Sequence, residues 1–323
     1  VDYDGTASSL LVEPERTNVN TYSEDFSQSF YIKDSGVSVG TTNNISPSGE
    51  SNASQIEVNN NLRIYANVAS DTYASSWYIK AGTFSYFRSG GDIDLVEGTY
   101  SGGTIESVGN GWFRITKQYT GNRPFQIQAY PDGTYSSHTT TGDYYIWGSQ
   151  IEAGSYATSY IPTDGGTVTR VQDQYSKTGI SNLIGQTEGT VYWEIDVETT
   201  VATANENILN IDNGSGFGHT IYFTKSATGN ISAEMYVSGI LQASFTKTNI
   251  TKGVHKMAMG YANNNTAFFV DGFQVGVTDI SCTVPTTSRL QLGAGALGAS
   301  DGKIKSLQIY KTRLTNPELA TLT

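Results

Sequence analysis

The chain predicts an all-β fold: two tandem β-sandwiches followed by one short C-terminal helix. Three observations carry this. The 323 residues include 21 Tyr, 12 Phe, 4 Trp and 35 Gly, with many Ser, Thr and Asn. Aromatic and β-branched residues suit a half-buried pleated surface, while Gly and Asn suit its turns. Short runs that alternate apolar and polar residues recur along the whole chain, the period-two signature of sheets with one face buried. Near the middle, Thr163-Asp164-Gly165-Gly166-Thr167 is turn-forming and poor in apolar residues, and the halves on either side do not repeat each other.

Taken in order, strands are expected at 62–68, 76–80, 112–117, 125–130 and 144–152 in the first half. In the second they are expected at 190–197, 220–223, 233–237, 255–260, 267–270, 289–292 and 303–310. Asn110-Gly111 before the Trp112 run and Asp271-Gly272 within FFVDGFQVG are two-residue hairpin signals, because both central residues of a type I′ turn need positive φ. Thr315 and Glu318 flank Pro317 in capping-box spacing, which predicts a terminal helix of about two turns.

The domain boundary falls within Pro162–Ser181. Residues 1–18 are expected as a lead-in segment, 19–165 as the first sandwich, 166–179 as a linker and 180–323 as the second sandwich. In the junction Tyr144–Arg170, Tyr145, Trp147 and Ile151 are expected on one strand face, closing the first core, with Pro162 to Thr169 as a hinge. The chain does not begin with Met, so it is expected to be processed or a piece of something longer.

Composition excludes several classes of function. Charged residues make up 15% of the chain and the net charge is -11. An acidic surface lacks the basic patches that a nucleic-acid backbone or an anionic membrane requires. No run of 18 apolar residues occurs, so no membrane-inserted helix is expected. Cys282 stands alone, which excludes an intrachain disulfide and any Cys-based metal spacing, and it is expected to be a small buried hydrophobe. His138, His219 and His255 are scattered, so no zinc site is expected. No Gly-x-Ser-x-Gly elbow or phosphate-binding loop appears.

Several groups of residues are candidates for chemistry. Glu194, Asp196 and Glu198 share one face of a strand, with Trp193, Ile195 and Val197 on the other. Residues i and i+4 lie about 13 Å apart along a strand, against the roughly 5 Å between carboxyls in a retaining glycosidase. The acidic face is therefore expected to be a solvated outer face, and the chain not to be an enzyme. No cofactor is expected apart from a structural Ca²⁺, for which Asp92, Asp94, Asp212 with Asn213, and Asp301 are the candidate ligands. Sugar binding needs exposed aromatic rings beside polar groups. Trp77, Tyr78, Tyr86, Arg88 and Asp92, gathered around one expected hairpin with Phe84 and Phe87, form one candidate platform, and Tyr144, Tyr145 and Trp147 form another.

Three segments of the first half, SLLVEPERTN with TYSEDFS, IESVGNGWFRI and Ile146–Arg170, resemble a carbohydrate-binding-type jelly-roll module of phage and prophage structural proteins. In the second half, EGTVYWEIDV, FFVDGFQVG and KIKSLQIYKTRLTNPELATLT resemble a concanavalin A-like, laminin-G-like sandwich. The EIDVE strand also resembles the catalytic strand of β-jelly-roll glucanases, but it opens the domain and is followed by no substrate-binding aromatics. What the resemblance implies is a virion surface protein, a tail or head fibre or receptor-binding component. Its expected partners are host cell-surface carbohydrate and other virion proteins, and its expected state is a homo-oligomer, trimeric by analogy. Two other readings stand beside it. One is the non-catalytic carbohydrate-binding part of a secreted polysaccharide-degrading enzyme. The other is a purely structural capsid or tail decoration protein.

Overall fold

The computed structural model describes residues 10–41, 43–60, 62–197, 205–293 and 303–323. The fold is all-β, built of antiparallel sheets with one short C-terminal helix. Residues 16–170 form one compact unit. Residues 171–323, together with the described part of the first fifteen residues, form the other.

In the 16–170 sandwich, one sheet runs in the order Thr99–Tyr100, Asp92–Asp94, Tyr86–Arg88, Phe125–Tyr130, Arg63–Ala66 and Tyr31–Lys33. The facing sheet runs Thr104–Gly109, Trp112–Gly121, Asp71–Ala81, Thr141–Ala153, Arg16–Asn18 and Val168–Arg170, with Ser51–Asn59 paired to the first half of the Thr141 strand. Their inner faces enclose Trp77, Ile79, Phe84, Phe87, Phe125, Ile127 and Tyr144. The Asn110-Gly111 hairpin forms as expected, with φ of 53° and 78° at its two central residues.

Two expectations for this unit are corrected. The Trp77 and Tyr86 strands do not form a hairpin: they belong to opposite sheets, and the chain between them crosses the sandwich. Nor do Tyr145, Trp147 and Ile151 share a face. A bulge lies between Trp147, opposite Tyr78, and Gln150, opposite Ser76. The extra residue inverts the alternation. Tyr144 and Ile146 face the core before it and Ile151 after it, while Trp147 packs on the outer side with Tyr78 and Tyr160. Gly148 at φ 61° makes the bulge possible.

In the other unit, one sheet runs Leu10–Leu11, Lys303–Tyr310, Glu188–Val197, Gly253–Ala262, Thr266–Val270 and Phe273–Asp279. The second runs Tyr175–Thr178, Arg289–Leu292, Glu206–Asp212, His219–Lys225, Ile231–Val237 and Ile240–Lys247. Trp193, Phe223, Met257, Met259 and Phe268 fill the space between them. The segment expected as a lead-in supplies an edge strand here: Leu10 pairs with Ile304 and Leu11 with Lys303, and Val12 is buried. The Asp271-Gly272 turn has φ of 50° and 84°, as a type I′ hairpin requires.

The helix Asn316–Leu322 carries the expected capping box. The Thr315 backbone N–H donates to the Glu318 carboxylate at 2.7 Å, and the Glu318 N–H donates back to the Thr315 hydroxyl at 3.4 Å. Its buried Leu319 docks on the outer side of the sheet with Tyr192, Ala258, Ala267 and Phe269. Gly260 leaves the room for it, since a Cβ there would stand 2.9 Å from the Leu319 methyl.

Candidate functional site

The outer face of the Tyr86 sheet collects the chemistry that recognises polar ligands. Phe87, Ile93, Ala129, Ile127 and Ile64 alternate inward to the core. Their neighbours therefore point outward, and strand register brings them into rows. Asp92 lies opposite Arg88, Arg88 opposite Gln128, and Gln128 opposite Arg63. The row beside it reads Asp94, Tyr86 and Tyr130. On the other side Gln126 lies opposite Tyr65. These residues come from four strands, and their separation in sequence hides the grouping.

Arginines pack against the rings on this face. The Arg88 guanidinium sits 5.4 Å from the Tyr130 ring and 5.3 Å from the Tyr135 ring. Its Nε donates to the Asp92 carboxylate at 2.6 Å, and this hydrogen bond raises the guanidinium further above its ordinary range. Arg123 lies 4.2 Å and Arg63 5.7 Å from the Tyr65 ring. Arg63 is held by the Asp34 carboxylate at 3.0 Å, whereas Arg123 donates, among the described residues, to the Asn67 side chain at 3.4 Å. Each cation is thus fixed over a ring, with N–H groups left for a ligand.

The connection after Tyr130 completes the face. Asp132 accepts from the Thr134 N–H at 2.9 Å and its hydroxyl at 2.6 Å, shaping a tight turn. Tyr135 follows at φ 50°, in the left-handed region that a bulky residue rarely adopts. Such strain persists only where surrounding contacts fix it. Here the Tyr135 hydroxyl donates to the Ile93 carbonyl at 3.1 Å, and its ring meets Tyr86 and Tyr130 edge-on at 6.1 and 5.5 Å. Burial, then the Asp94 and Asp92 carboxylates, push the Tyr135 hydroxyl up to about 12, so it is a neutral donor at ordinary pH. His138 accepts from the Thr140 N–H at 3.2 Å and donates Nε2–H to the Ala129 carbonyl at 2.9 Å, closing the loop.

Of the residues expected to form a glycan platform, Tyr86, Arg88 and Asp92 meet on this face. Three do not. Trp77 is 0% exposed and Tyr144 1% exposed. Trp77 faces inward edge-on to Phe125 at 5.6 Å, and Tyr144 packs against Phe87 at 5.0 Å. Tyr78 is on the outer side of the other sheet, 5.2 Å from Trp147 and under the Arg114 guanidinium. Tyr65, Tyr130, Tyr135, Gln126, Gln128, Arg63 and Arg123 were not singled out by sequence. The only signal was their alternation with core residues, and cross-strand register is needed to turn that into a surface.

Glu194 and Asp196 project from the outer face of a central strand while Trp193, Ile195 and Val197 are buried in the core. Glu194 accepts from the Tyr192 hydroxyl at 3.3 Å. Glu198 lies outside the described residues, as does the calcium candidate Asp301. The other acidic candidates are engaged separately. Asp92 is paired with Arg88, and Asp94 accepts from the Val96 and Glu97 N–H groups at 2.8 and 3.1 Å. Asp212 is fully buried and gripped by Arg289 at 2.7 and 3.0 Å. A carboxylate that already neutralises a guanidinium is a poor calcium ligand. Asn213 accepts from the Ser215 N–H at 3.0 Å. Among the described residues, no three His, Cys, Asp or Glu side chains form a metal-binding group.

No protein-family model matches the sequence, and no curated protein matches it. Solved structures similar to it include the CBM40 of a Ruminococcus gnavus IT-sialidase, at 14% identity and a TM-score of 0.37, covering 46% of this chain and 98% of that one. A SAP-like pentraxin from Limulus polyphemus follows at 13% identity and 0.36, covering 46% and 73%. Trypanosoma rangeli sialidase is matched at 14% identity and 0.35, covering 42% of this chain and 22% of that one. Likeness at this level assigns neither a family nor a ligand.

Proposed function

We propose that this chain is a non-enzymatic carbohydrate-binding protein, with its glycan held on the outer face of the Tyr86 sheet. One observation carries the reading. Tyr65, Tyr86 and Tyr135, all half-buried, stand on one sheet face beside Gln126, Gln128, Arg63, Arg88 and Arg123. Ring faces pack on the apolar C–H faces of sugars, while amides, guanidinium groups and carboxylates bond the hydroxyls. The rings are locked by each other and by arginines, so little side-chain entropy remains to be lost on binding. Arg123, which has no carboxylate partner among the described residues, lets the face take acidic as well as neutral sugars.

We place the protein on the surface of a phage particle, attaching it to host sugars alongside other virion proteins. That part rests on the resemblance of Ser9–Asn18 with Thr21–Ser27, of Ile105–Ile115 and of Ile146–Arg170 to phage modules. The outward, hydrogen-bonded setting of Glu194 supports the non-enzymatic part. A glycan array followed by calorimetry on the strongest ligand tests binding. Tyr86→Ala is expected to weaken it at least about tenfold, the size of an interface anchor; unchanged affinity overturns the assignment. Release of reducing ends from β-glucans, abolished by Glu194→Gln, would overturn the non-enzymatic reading.

A further inference from the structure

The second unit carries a separate aromatic and polar face, on the outer side of the Tyr222 sheet. Ile211, Ile221, Met235 and Ala243 alternate inward. Outward, one row crosses five adjacent strands: Gln291, Asn210, Tyr222, Glu234 and Ser244 are successive register partners. From Gln291 to Glu234 is three strand spacings, about 14 Å, the length of an oligosaccharide rather than one ring. The next row holds Arg289, Asp212, Thr220 and Tyr236.

Phe217 rises beside these rows. It is 52% exposed, yet its ring meets Tyr222 at 5.4 Å and 83° and Tyr236 at 5.2 Å and 63°. Its loop is fixed: Asp212 accepts from the Gly214 N–H at 2.8 Å, Asn213 from the Ser215 N–H at 3.0 Å, and the Gly218 carbonyl from the Gly239 N–H at 3.2 Å.

Three polar groups on this face are unspent. Tyr222 is 7% exposed, and its hydroxyl has no hydrogen-bond partner among the described residues. The hydroxyl itself is not sealed from solvent, so a ligand hydroxyl can reach it in place of water. Glu234 accepts the Tyr236 hydroxyl at 2.8 Å and has no cationic partner among the described residues. The Gln291 amide accepts from Asn210 at 3.4 Å and leaves its N–H₂ donors open. The one guanidinium in these rows, Arg289, is consumed in its bidentate pair with Asp212.

We propose that this face is a second, independent saccharide site, selective for uncharged oligosaccharides. The rings supply apolar surface, Tyr222 and Gln291 supply donors, and Glu234 accepts from sugar hydroxyls. The uncompensated Glu234 charge repels a uronate, where the first face offers Arg123. Two such faces on one chain would raise avidity for a surface displaying both kinds of sugar.

The test titrates the full chain with neutral hexaoses (cello-, xylo-, malto- and mannohexaose) and with hexagalacturonate. At least one neutral hexaose is expected to bind. In a Tyr86→Ala background, which removes the first face's own contribution, Tyr222→Phe, which removes only the hydroxyl, and Phe217→Ala are each expected to weaken the remaining neutral-hexaose binding about tenfold. Glu234→Gln is expected to narrow the gap between neutral and acidic ligands. Failure of every neutral hexaose to bind overturns the proposal, as does binding unaltered by Tyr222→Phe and Phe217→Ala. Loss of neutral binding through Tyr86→Ala alone would overturn it too, and would leave the first face as the site.

Discussion

Arg88 and Asp92 face each other across adjacent strands, the guanidinium Nε donating to the carboxylate at 2.6 Å. Both side chains are 43% exposed, so the pair contributes little to stability, about 0.2–1 kcal/mol. Its effect is positional, holding Arg88 against Tyr130 and Tyr135. Asp92→Ala is therefore expected to cost less than about 1 kcal/mol in urea denaturation, while glycan affinity falls several-fold. A large stability loss with unchanged affinity would show that the pair serves the fold instead.

Trp77 and Tyr86 should separate in the same assay. Trp77→Ala opens a cavity in a closed core and is expected to cost about 3–5 kcal/mol. Tyr86→Ala, on the outer face, is expected to cost about 1 kcal/mol or less. Urea midpoints measured side by side check this; equal losses would contradict the assignment of Trp77 to the core and Tyr86 to the surface.

Lys117 gives the fold a dependence on alkaline pH. Its side chain is nearly buried, and Nζ donates to the Ser89 carbonyl and hydroxyl at 3.3 and 3.0 Å, with Trp77 and Tyr119 rings nearby. Burial lowers its pKa from 10.5 to about 8. Between those values the unfolded chain holds the proton and the folded chain has released it. Stability therefore rises with pH from about 8 towards 10.5 and carries the full penalty of a buried ammonium below 8. The gain is of the order of 3 kcal/mol at most. Tyrosine ionisation in the unfolded chain opposes it near pH 10, so urea midpoints from pH 7 to about 9.5 are the clean window. Lys117→Met is expected to flatten that rise.

The terminal helix depends on its cap. Thr315→Ala removes the hydroxyl that accepts from Glu318 and is expected to cost about 1 kcal/mol. Hydrogen exchange is expected to quicken at residues 316–322 first, because Leu319 is the buried anchor of the helix. Uniform loss of protection throughout the second unit would contradict a local role.

Local signals made much of the architecture legible. The Asn110-Gly111 and Asp271-Gly272 turns, the Thr315 to Glu318 box and the strands 125–130, 289–292 and 303–310 form where their sequences place them. The turns and the box are fixed by neighbours only a few residues away, and the strands announce themselves by their own alternation of apolar and polar residues. Alternation alone could not say which face was core. Trp77 and Tyr78 differ by one position, and only the partner sheet decides that Trp77 is inside. The bulge after Trp147 inverted the alternation without a strong local cue, since one glycine among many marks it. The binding face was least legible. Tyr86 meets Tyr130, and Gln128 meets Arg63, through pairings between segments about 40 and 65 residues apart in the chain.

The central claim is that a glycan rests on the rings of the Tyr86 sheet. Calorimetric titration of wild type and a Tyr65→Ala/Tyr86→Ala double variant with the strongest array ligand tests it most directly. The expected result is a loss of at least about a hundredfold in affinity, with the urea midpoint nearly unchanged. Wild-type affinity in a folded double variant, or no glycan recognised by the wild type even at high valency, would contradict it.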